Sequence, residues 1–313
     1  MARRKSRGRP VDGILILNKP LGISSNTALQ HAKRLFGAAK AGHTGSLDPL
    51  ATGVLPICFG EATKFTQFLL DSDKTYLSTF RLGVSTETGD CDGDIIGTSD
   101  ASMLNEAEIQ ASIDNFRGDI KQIPSMYSAL KHEGQPLYKL ARQGITVERK
   151  ARPVTIFSYE LLAFRPGQQA EVDVEISCSK GTYIRSLAED LGAALGCGAH
   201  VVKLHRSVAG PFGEDKSATF EDLEPLCKSG DNEALDSLLM PMDSAVTGAR
   251  SVTIPESIAY YLRLGQAVMA PDLYQESQEG EVIRIFHTDG MFLGVGEIMD
   301  DGRIQPRRLV VSA

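Results

Sequence analysis

A mixed α/β domain with a smaller β-rich module at its C-terminal end is the fold class this sequence predicts, on three observations. The chain has 313 residues, more than one hydrophobic core usually serves. Apolar runs with strand character alternate with stretches of helical period through the longer N-terminal part. Near residue 250 the pattern changes to a short helix, a hairpin and a closing strand.

The elements follow in order. GILILNKP (13–20) is an apolar run stopped by Lys-Pro and predicts a buried strand. SSNTALQHAKRLFG (24–37) has a polar cap near Asn26 and apolar positions at Leu29, Ala32, Leu35 and Phe36. Gly37 ends it, so it predicts a short helix. KTYLSTFRLG (74–83) alternates as a strand does. A second helix is expected from Asn105, where Glu108 completes a capping box and Ile109, Ile113 and Phe116 share a side, with Gly118 as its end. EVDVEISC (171–178) places Val172, Val174, Ile176 and Cys178 on one strand face. SKGT then turns into YIRSLAEDLG, a helix with a buried stripe of Ile184, Leu187, Ala188 and Leu191. Arg185 falls in its first turn, off that stripe, where a cation opposes the helix dipole and calls for a carboxylate or phosphate nearby. After PFGEDKSATF (211–220) glycine, proline and charge replace periodic structure. IPESIAYYLRLG predicts a short helix, EVIRIF and MFLGVGEI a hairpin turning at Asp289-Gly290, and RIQPRRLVV a last strand. The expected organisation is a basic flexible N-terminus over 1–10, a main domain over 11–249 and a β-rich module over 250–313.

Bulk composition narrows the function classes. No run approaches the length of a membrane-spanning helix, and MARRKSRGRP lacks the apolar core of a secretory signal. Five scattered cysteines without a CxxC argue against a disulfide framework or structural zinc and fit a reducing cytoplasm. The net charge of -7 hides an asymmetry: residues 1–40 hold nine Lys/Arg against the single acid Asp12, a local +8 that leaves −15 for the rest. A basic segment of this kind is either a solubilising tail or part of a nucleic-acid surface.

Common catalytic signatures are missing. There is no phosphate-binding GxxxxGK[ST], no GxGxxG after a strand, no GxSxG, and no HxxxH or HExxH. TETGDCDGD (86–94) is acidic, but a calcium loop starting at Asp90 would need glycine and glutamate where Ile95 and Ala101 stand. It is expected to be a surface turn. AGHTGSLDPLATGVLP (41–56) is different: three glycines and two prolines shape the backbone around His43 and Asp48. Asp48-Pro49 suits the start of a type I turn, with Gly45 and Gly53 supplying unusual dihedrals. From residue types alone it is either a tight turn or an active-site loop.

GHTGSLDPLATGVLP resembles the signature of the TruB family of tRNA pseudouridine synthases. LNKPLGISS (17–25), GEATKF (60–65) with KTY (74–76), SKGTYIRSLAEDLG (179–192) and KLHRSVAGPF (203–212) resemble further blocks of that family, in its order and spacing. The C-terminal segment more loosely resembles the PUA-like module of bacterial members. The resemblance implies a catalytic domain around a mainly antiparallel sheet with a PUA-like RNA-binding tail. It also implies an isomerase that converts the T-loop uridine at tRNA position 55 to pseudouridine. No cofactor and no metal are implied. The partner would be the T arm of tRNA, with no membrane and no protein partner required, the chain acting as a monomer. Tritium-releasing chemistry and a tRNA-folding chaperone role can coexist in such a protein.

Carried over position by position, the resemblance makes Asp48 the catalytic aspartate, Arg185 the arginine paired with it, and Tyr76 the tyrosine that stacks on the target base. His43 supports base extrusion, Tyr183 and Leu204 contact substrate, and Lys64 contacts RNA. One departure is His205, where the family often has arginine beside Arg206. The chemistry asks for an ionised carboxylate near ribose and base, and Arg185 is expected to oppose the effect of burial on Asp48 and hold it ionised.

Overall fold

The computed structural model describes residues 8–270 and 278–311. In chain order the elements of the larger part are β1 (Gly13–Lys19), α1 (Ser25–Leu35), β2 (Ala41–His43), β3 (Ala51–Phe59), α2 (Thr66–Leu70), β4 (Lys74–Leu82), β5 (Val84–Thr86), β6 (Ile95–Thr98) and α3 (Glu106–Asp114). They continue with β7 (Gly118–Gln122), β8 (Lys131–His132), β9 (Gln135–Pro136), α4 (Leu137–Ala141), β10 (Arg152–Arg165), β11 (Glu171–Cys178), α5 (Ile184–Ala194) and β12 (Ala199–Ala209). Then come β13 (Phe212–Gly213), α6 (Phe220–Ser229) and α7 (Asn232–Ser237). β14 (Arg250–Ile254), α8 (Glu256–Arg263), β15 (Val282–His287), β16 (Phe292–Ile298) and β17 (Ile304–Leu309) complete the chain.

The main sheet runs β1-β3-β12-β4-β11-β10-β7, with β2 beside β3 and β13 beside β12. Every pairing in it is antiparallel except β12 with β3, so the sheet is mainly antiparallel. Strand composition follows from what covers each face. β11 alternates buried and half-buried residues because one face meets the core and the other stays near water. β1 is apolar almost throughout because both its faces are covered. Leu15 and Leu17 join the large core with α1, α5 and α6, while Ile14 and Ile16 pack with Val54, Cys58 and Phe65 on the reverse side.

β14 to β17 form a separate four-stranded sheet with its own core around Val252, Leu262, Ile285 and Ile304. This sheet rests on the reverse side of the main one. Val295 joins the Ile14–Phe65 core, and the rings of Phe65 and Phe292 lie 5.3 Å apart. The hairpin expected at Asp289-Gly290 is the β15–β16 connection.

Three local expectations need correction. The α1 cap is Ser24, whose hydroxyl accepts from the Thr27 N–H at 3.1 Å, two residues before Asn26. α3 has the expected Asn105–Glu108 capping box, but it ends at Asp114, and Gly118 with φ +84° opens β7 instead. Of the N-terminus expected to be flexible over 1–10, residues 1–7 lie outside the described residues and 8–10 are docked. Arg9 donates to both carboxylate oxygens of Asp236 at 2.6 and 2.7 Å and to the Phe36 carbonyl at 2.6 Å.

Candidate active site

The glycine- and proline-rich loop between β2 and β3 is held from three sides. The Ala51 N–H donates to the Asp48 carbonyl at 3.0 Å, closing the turn that Asp48-Pro49 was expected to start. Ser25, at the first turn of α1, accepts from the Leu47 N–H at 2.7 Å, and the Gly22 N–H donates to the Pro49 carbonyl at 2.8 Å. From β12, Arg206 donates to the Gly45 carbonyl of the loop at 3.4 Å and to the Val54 carbonyl of β3 at 2.8 Å. Gly45 and Gly53 take φ +88° and +99° as expected. At Gly53 a Cβ would stand 2.3 Å from the Arg206 carbonyl oxygen, so no side chain fits.

This scaffold presents the Asp48 carboxylate to Arg185 with Oδ2 3.0 Å from Nη2. The cation in the first turn of α5 thus finds the negative partner it needs, and it finds a second. Nη1 lies 3.3 Å from Asp90 Oδ2, and the guanidinium also donates to the carbonyls of Thr88 at 2.9 Å and Tyr127 at 3.0 Å. The acidic stretch 86–94 is therefore more than the expected surface turn. Asp90 is 4% exposed and turned inward onto the arginine, while its other oxygen accepts from the Asp92 N–H at 3.1 Å.

Sharing one guanidinium between two acids changes the electrostatics expected of Asp48. Burial pushes its carboxyl above the ordinary range, Arg185 pulls it down, Asp90 pushes it up again and Lys19 pulls it down; the net direction is upward. Arg185 opposes burial as expected, but burial is the larger influence, and the second acid, Asp90, adds to it. The Asp48 side chain nevertheless keeps 40% of its surface open, since it faces a cleft. Water on that side tempers the upward push that the surrounding protein imposes.

The cleft has a volume of about 360 Å³, and Asp48, Tyr76, Tyr183, Arg185 and Leu204 all line it. Tyr76 sits mid-strand on β4, opposite Ile176 of β11 and Arg206 of β12, and burial raises its phenol above the ordinary value. Tyr183 immediately precedes α5. Its N–H donates to Gln122 Oε1 at 2.8 Å and its carbonyl accepts from Gln122 Nε2 at 3.0 Å, so its peptide is clamped to β7. Leu204 comes from β12, two residues before Arg206 and so on the same strand face.

Two sequence candidates do not line the cleft. His43 ends β2 opposite Ile57; its Nδ1 is buried without a partner among the described residues, and burial together with the charge of Arg206 lowers its pKa. Lys64 bonds Glu61 at 2.6 Å and the Leu309 carbonyl at 2.8 Å, tying the main domain to β17. His205 points to the opposite sheet face from Leu204, with Nδ1 2.7 Å from the Thr52 hydroxyl and Nε2 on Glu214.

Sequence reasoning missed three further cations beside Arg185. Arg206 is 1% exposed and lines the cleft, and its strand alternation with Leu204 was the available signal. Lys74 lines it too, two residues before Tyr76, and donates to the carbonyls of Leu69, Leu70 and Ser72; burial pushes its ammonium down to about 8. Lys19, read only as the stop of β1, is fully buried, donates to the Pro20 and Ile23 carbonyls at 2.9 and 2.7 Å, and is likewise pushed down to about 8 by burial. Among the described residues no group of His, Cys, Asp or Glu is placed to hold a metal ion.

An ionisable carboxylate fixed to an arginine, beside two tyrosines in a cation-ringed cleft, equips an enzyme that works on a nucleoside inside a polyanion. Family comparisons define which. The chain matches the TruB family pseudouridylate synthase N-terminal domain over residues 33–184 and the tRNA pseudouridylate synthase B C-terminal domain over 185–247. It matches the pseudouridine synthase II TruB C-terminal model over 251–310. It is 56% identical to the tRNA pseudouridine synthase B of Saccharophagus degradans, covering 99% of each chain. Against the enzyme of that name from Pseudomonas putida the identity is 53% over the whole of both. Among solved structures, a chain of a Cbf5-Nop10-Gar1 complex superposes with a TM-score of 0.73 at 26% identity, over 95% of this chain and 84% of that one. This chain belongs to the TruB family of pseudouridylate synthases.

Proposed function

We propose that this enzyme isomerises the T-loop uridine at tRNA position 55 to pseudouridine, acting alone as a monomer on the T arm. The N1–C1′ bond of the target breaks, the uracil turns, and C5 bonds to C1′; the proton leaving C5 is balanced by one gained at N1. Nothing is transferred or oxidised, so no cofactor is called for. Asp48 serves as nucleophile at C1′ or at C6, or as base at the ribose; each role requires the ionised carboxylate that Arg185 aims. The observation that carries this reading is the Asp48–Arg185 contact of 3.0 Å on the cleft shared with Tyr76. The relatives named tRNA pseudouridine synthase B match this chain nearly end to end at above 50% identity, against 26% for the chain from the multi-protein complex.

A stacked uridine cannot reach Asp48 and must be flipped, at a cost of a few kcal/mol. Stacking on Tyr76 offsets about 1–3 kcal/mol of that. In this reading Tyr183 and Leu204 close on the flipped nucleotide, while His43 and Lys64 meet the RNA outside the cleft. The test is tritium release from an unmodified T-arm stem-loop labelled at C5 of uridine. Release by the wild type and none by Asp48→Asn is the expected result. Equal release by both removes Asp48 as catalyst, and tight binding without release from the wild type replaces the isomerase by a folding chaperone.

A further inference from the structure

Beside the catalytic cleft lies a second recess of about 400 Å³, with Tyr183 as the wall between them and Leu70, Leu130 and Gly181 common to both. Its charged groups are two cations, Arg152 and Lys180. Arg152 is exposed, and no carboxylate among the described residues pairs with it. Its backbone is nonetheless placed by the sheet. Arg152 opens β10 directly opposite Gln122 of β7, and Gln122 is the side chain that clamps the Tyr183 peptide on both sides. The head group of Arg152 is close enough to Tyr183 to act on its phenol electrostatically. Lys180 stands on the turn between β11 and α5, fixed where the Thr155 N–H donates to the Ser179 hydroxyl at 2.9 Å. It touches Asp71 at 2.7 Å, with both side chains well exposed, a contact of the kind that contributes at most about 1 kcal/mol and yields readily to a stronger anion.

We infer that Arg152 and Lys180 form a phosphate subsite that grips the RNA backbone next to the flipped uridine. This rests on the isomerase reading and extends it to a contact outside the reacting nucleotide. A planar guanidinium suits two oxygens of one phosphodiester, and a lysine ammonium adds a second point of charge. The base and ribose fill the cleft on one side of Tyr183, and the adjoining phosphate fills the recess on the other. Gln122 holds the Tyr183 peptide with its side chain and faces Arg152 in the sheet register, so the phosphate contact lies beside the wall against which the nucleotide lies.

The experiment compares wild type, Arg152→Gln and Lys180→Gln on the unmodified T-arm stem-loop. It also uses two stem-loops in which the phosphate 5′ or 3′ of the target uridine is replaced by an uncharged methylphosphonate. Dissociation constants are measured by filter binding from low to moderate salt, with unfolding midpoints to confirm that each variant is folded. Arg152→Gln is expected to weaken binding by about tenfold at low salt. It should also flatten the slope of log Kd against log salt by about one counterion. One of the two neutral linkages should weaken the wild type at least as much as Arg152→Gln does. It should weaken Arg152→Gln less than it weakens the wild type, because only the Lys180 contact is then left to lose. A variant with an unchanged salt slope, or with losses that add to those of both neutral linkages, overturns the subsite. Absence of tritium release from the wild type on the unmodified stem-loop overturns the isomerase reading instead, so the two failures are distinct.

Discussion

Replacing Arg185 by lysine separates charge from geometry at the centre of the site. The guanidinium reaches four partners from two nitrogens: Nη1 serves Asp90 at 3.3 Å and Thr88 at 2.9 Å, and Nη2 serves Asp48 at 3.0 Å and Tyr127 at 3.0 Å. A lysine brings one nitrogen, so it keeps one side of the fork and abandons the other. Bonds of this charge-assisted kind contribute about 1.5–3 kcal/mol each. Losing the pair that aims Asp48 should take about 3–4 kcal/mol from the transition state, a fall in turnover of about 10²–10³. RNA affinity should change by less than about threefold, under 1 kcal/mol. The Arg185 side chain is only 6% exposed, and each of its terminal nitrogens already bonds protein groups. Single-turnover tritium release at saturating enzyme measures the first quantity and filter binding the second. A rate within tenfold of wild type, or a loss of affinity equal to the loss of rate, would refute the assignment of Arg185 as the group that aims Asp48.

Other perturbations test neighbouring links. Gly53→Ala should lower stability by at least about 2 kcal/mol in urea unfolding, because its Cβ would meet the Arg206 carbonyl at 2.3 Å from a backbone at φ +99°. Gly42→Ala, where nothing lies within 4 Å of the new Cβ and φ is not positive, is the control expected to leave stability unchanged. Asp90→Asn should move the acid limb of the pH–rate profile to lower pH. Asp90 pushes the Asp48 carboxyl up and Arg185 pulls it down, so removing the first and freeing the second both favour the ionised form. A limb that moves to higher pH would contradict that sign.

Much of this was legible in the sequence, for identifiable reasons. Strict alternation in residues 171–178 sufficed to orient β11, since one face of that strand meets the core. The first-turn position of Arg185 announced an acidic partner, because a cation there is at odds with the helix dipole. That there would be two partners was hidden. Asp90 lies in a polar turn whose direction is set by a bridge to Val201 of β12, more than a hundred residues on. Lys19 was hidden for a related reason. A lysine before proline reads as a strand stop, and only the returning chain at Pro20 and Ile23 supplies the carbonyls that let its ammonium be buried. Lys74 and Arg206 were legible in principle, each two residues along a strand from a residue already placed in the cleft. His43 and Lys64 were named by the resemblance alone, and both stand outside the cleft, His43 at the end of β2 and Lys64 on Glu61 and the Leu309 carbonyl.

Arg185 shared between two carboxylates looks wasteful if its purpose is to keep Asp48 charged, since a private guanidinium would do that better. The arrangement makes sense if charge alone is not enough. A carboxylate drawn wholly into an ion pair is held well ionised but is a weak base and a weak nucleophile, because its electron pair is already engaged. Here Asp90 takes half of the arginine, burial and the second negative charge leave Asp48 more basic than an ordinary aspartate, and its open face toward the cleft keeps it accessible. Aim and reactivity are thus supplied by different partners: Arg185 fixes the direction, while Asp90 limits how strongly it holds. On that basis Asp90→Asn should lower the plateau rate well above the acid limb, where Asp48 is fully ionised in both proteins. It does so by making the carboxylate less basic as well as by loosening the arginine. Restoring a charge with Asp90→Glu should recover the position of the acid limb more completely than the plateau. The charge acts over several ångströms, whereas the hold on Arg185 depends on the length of the side chain.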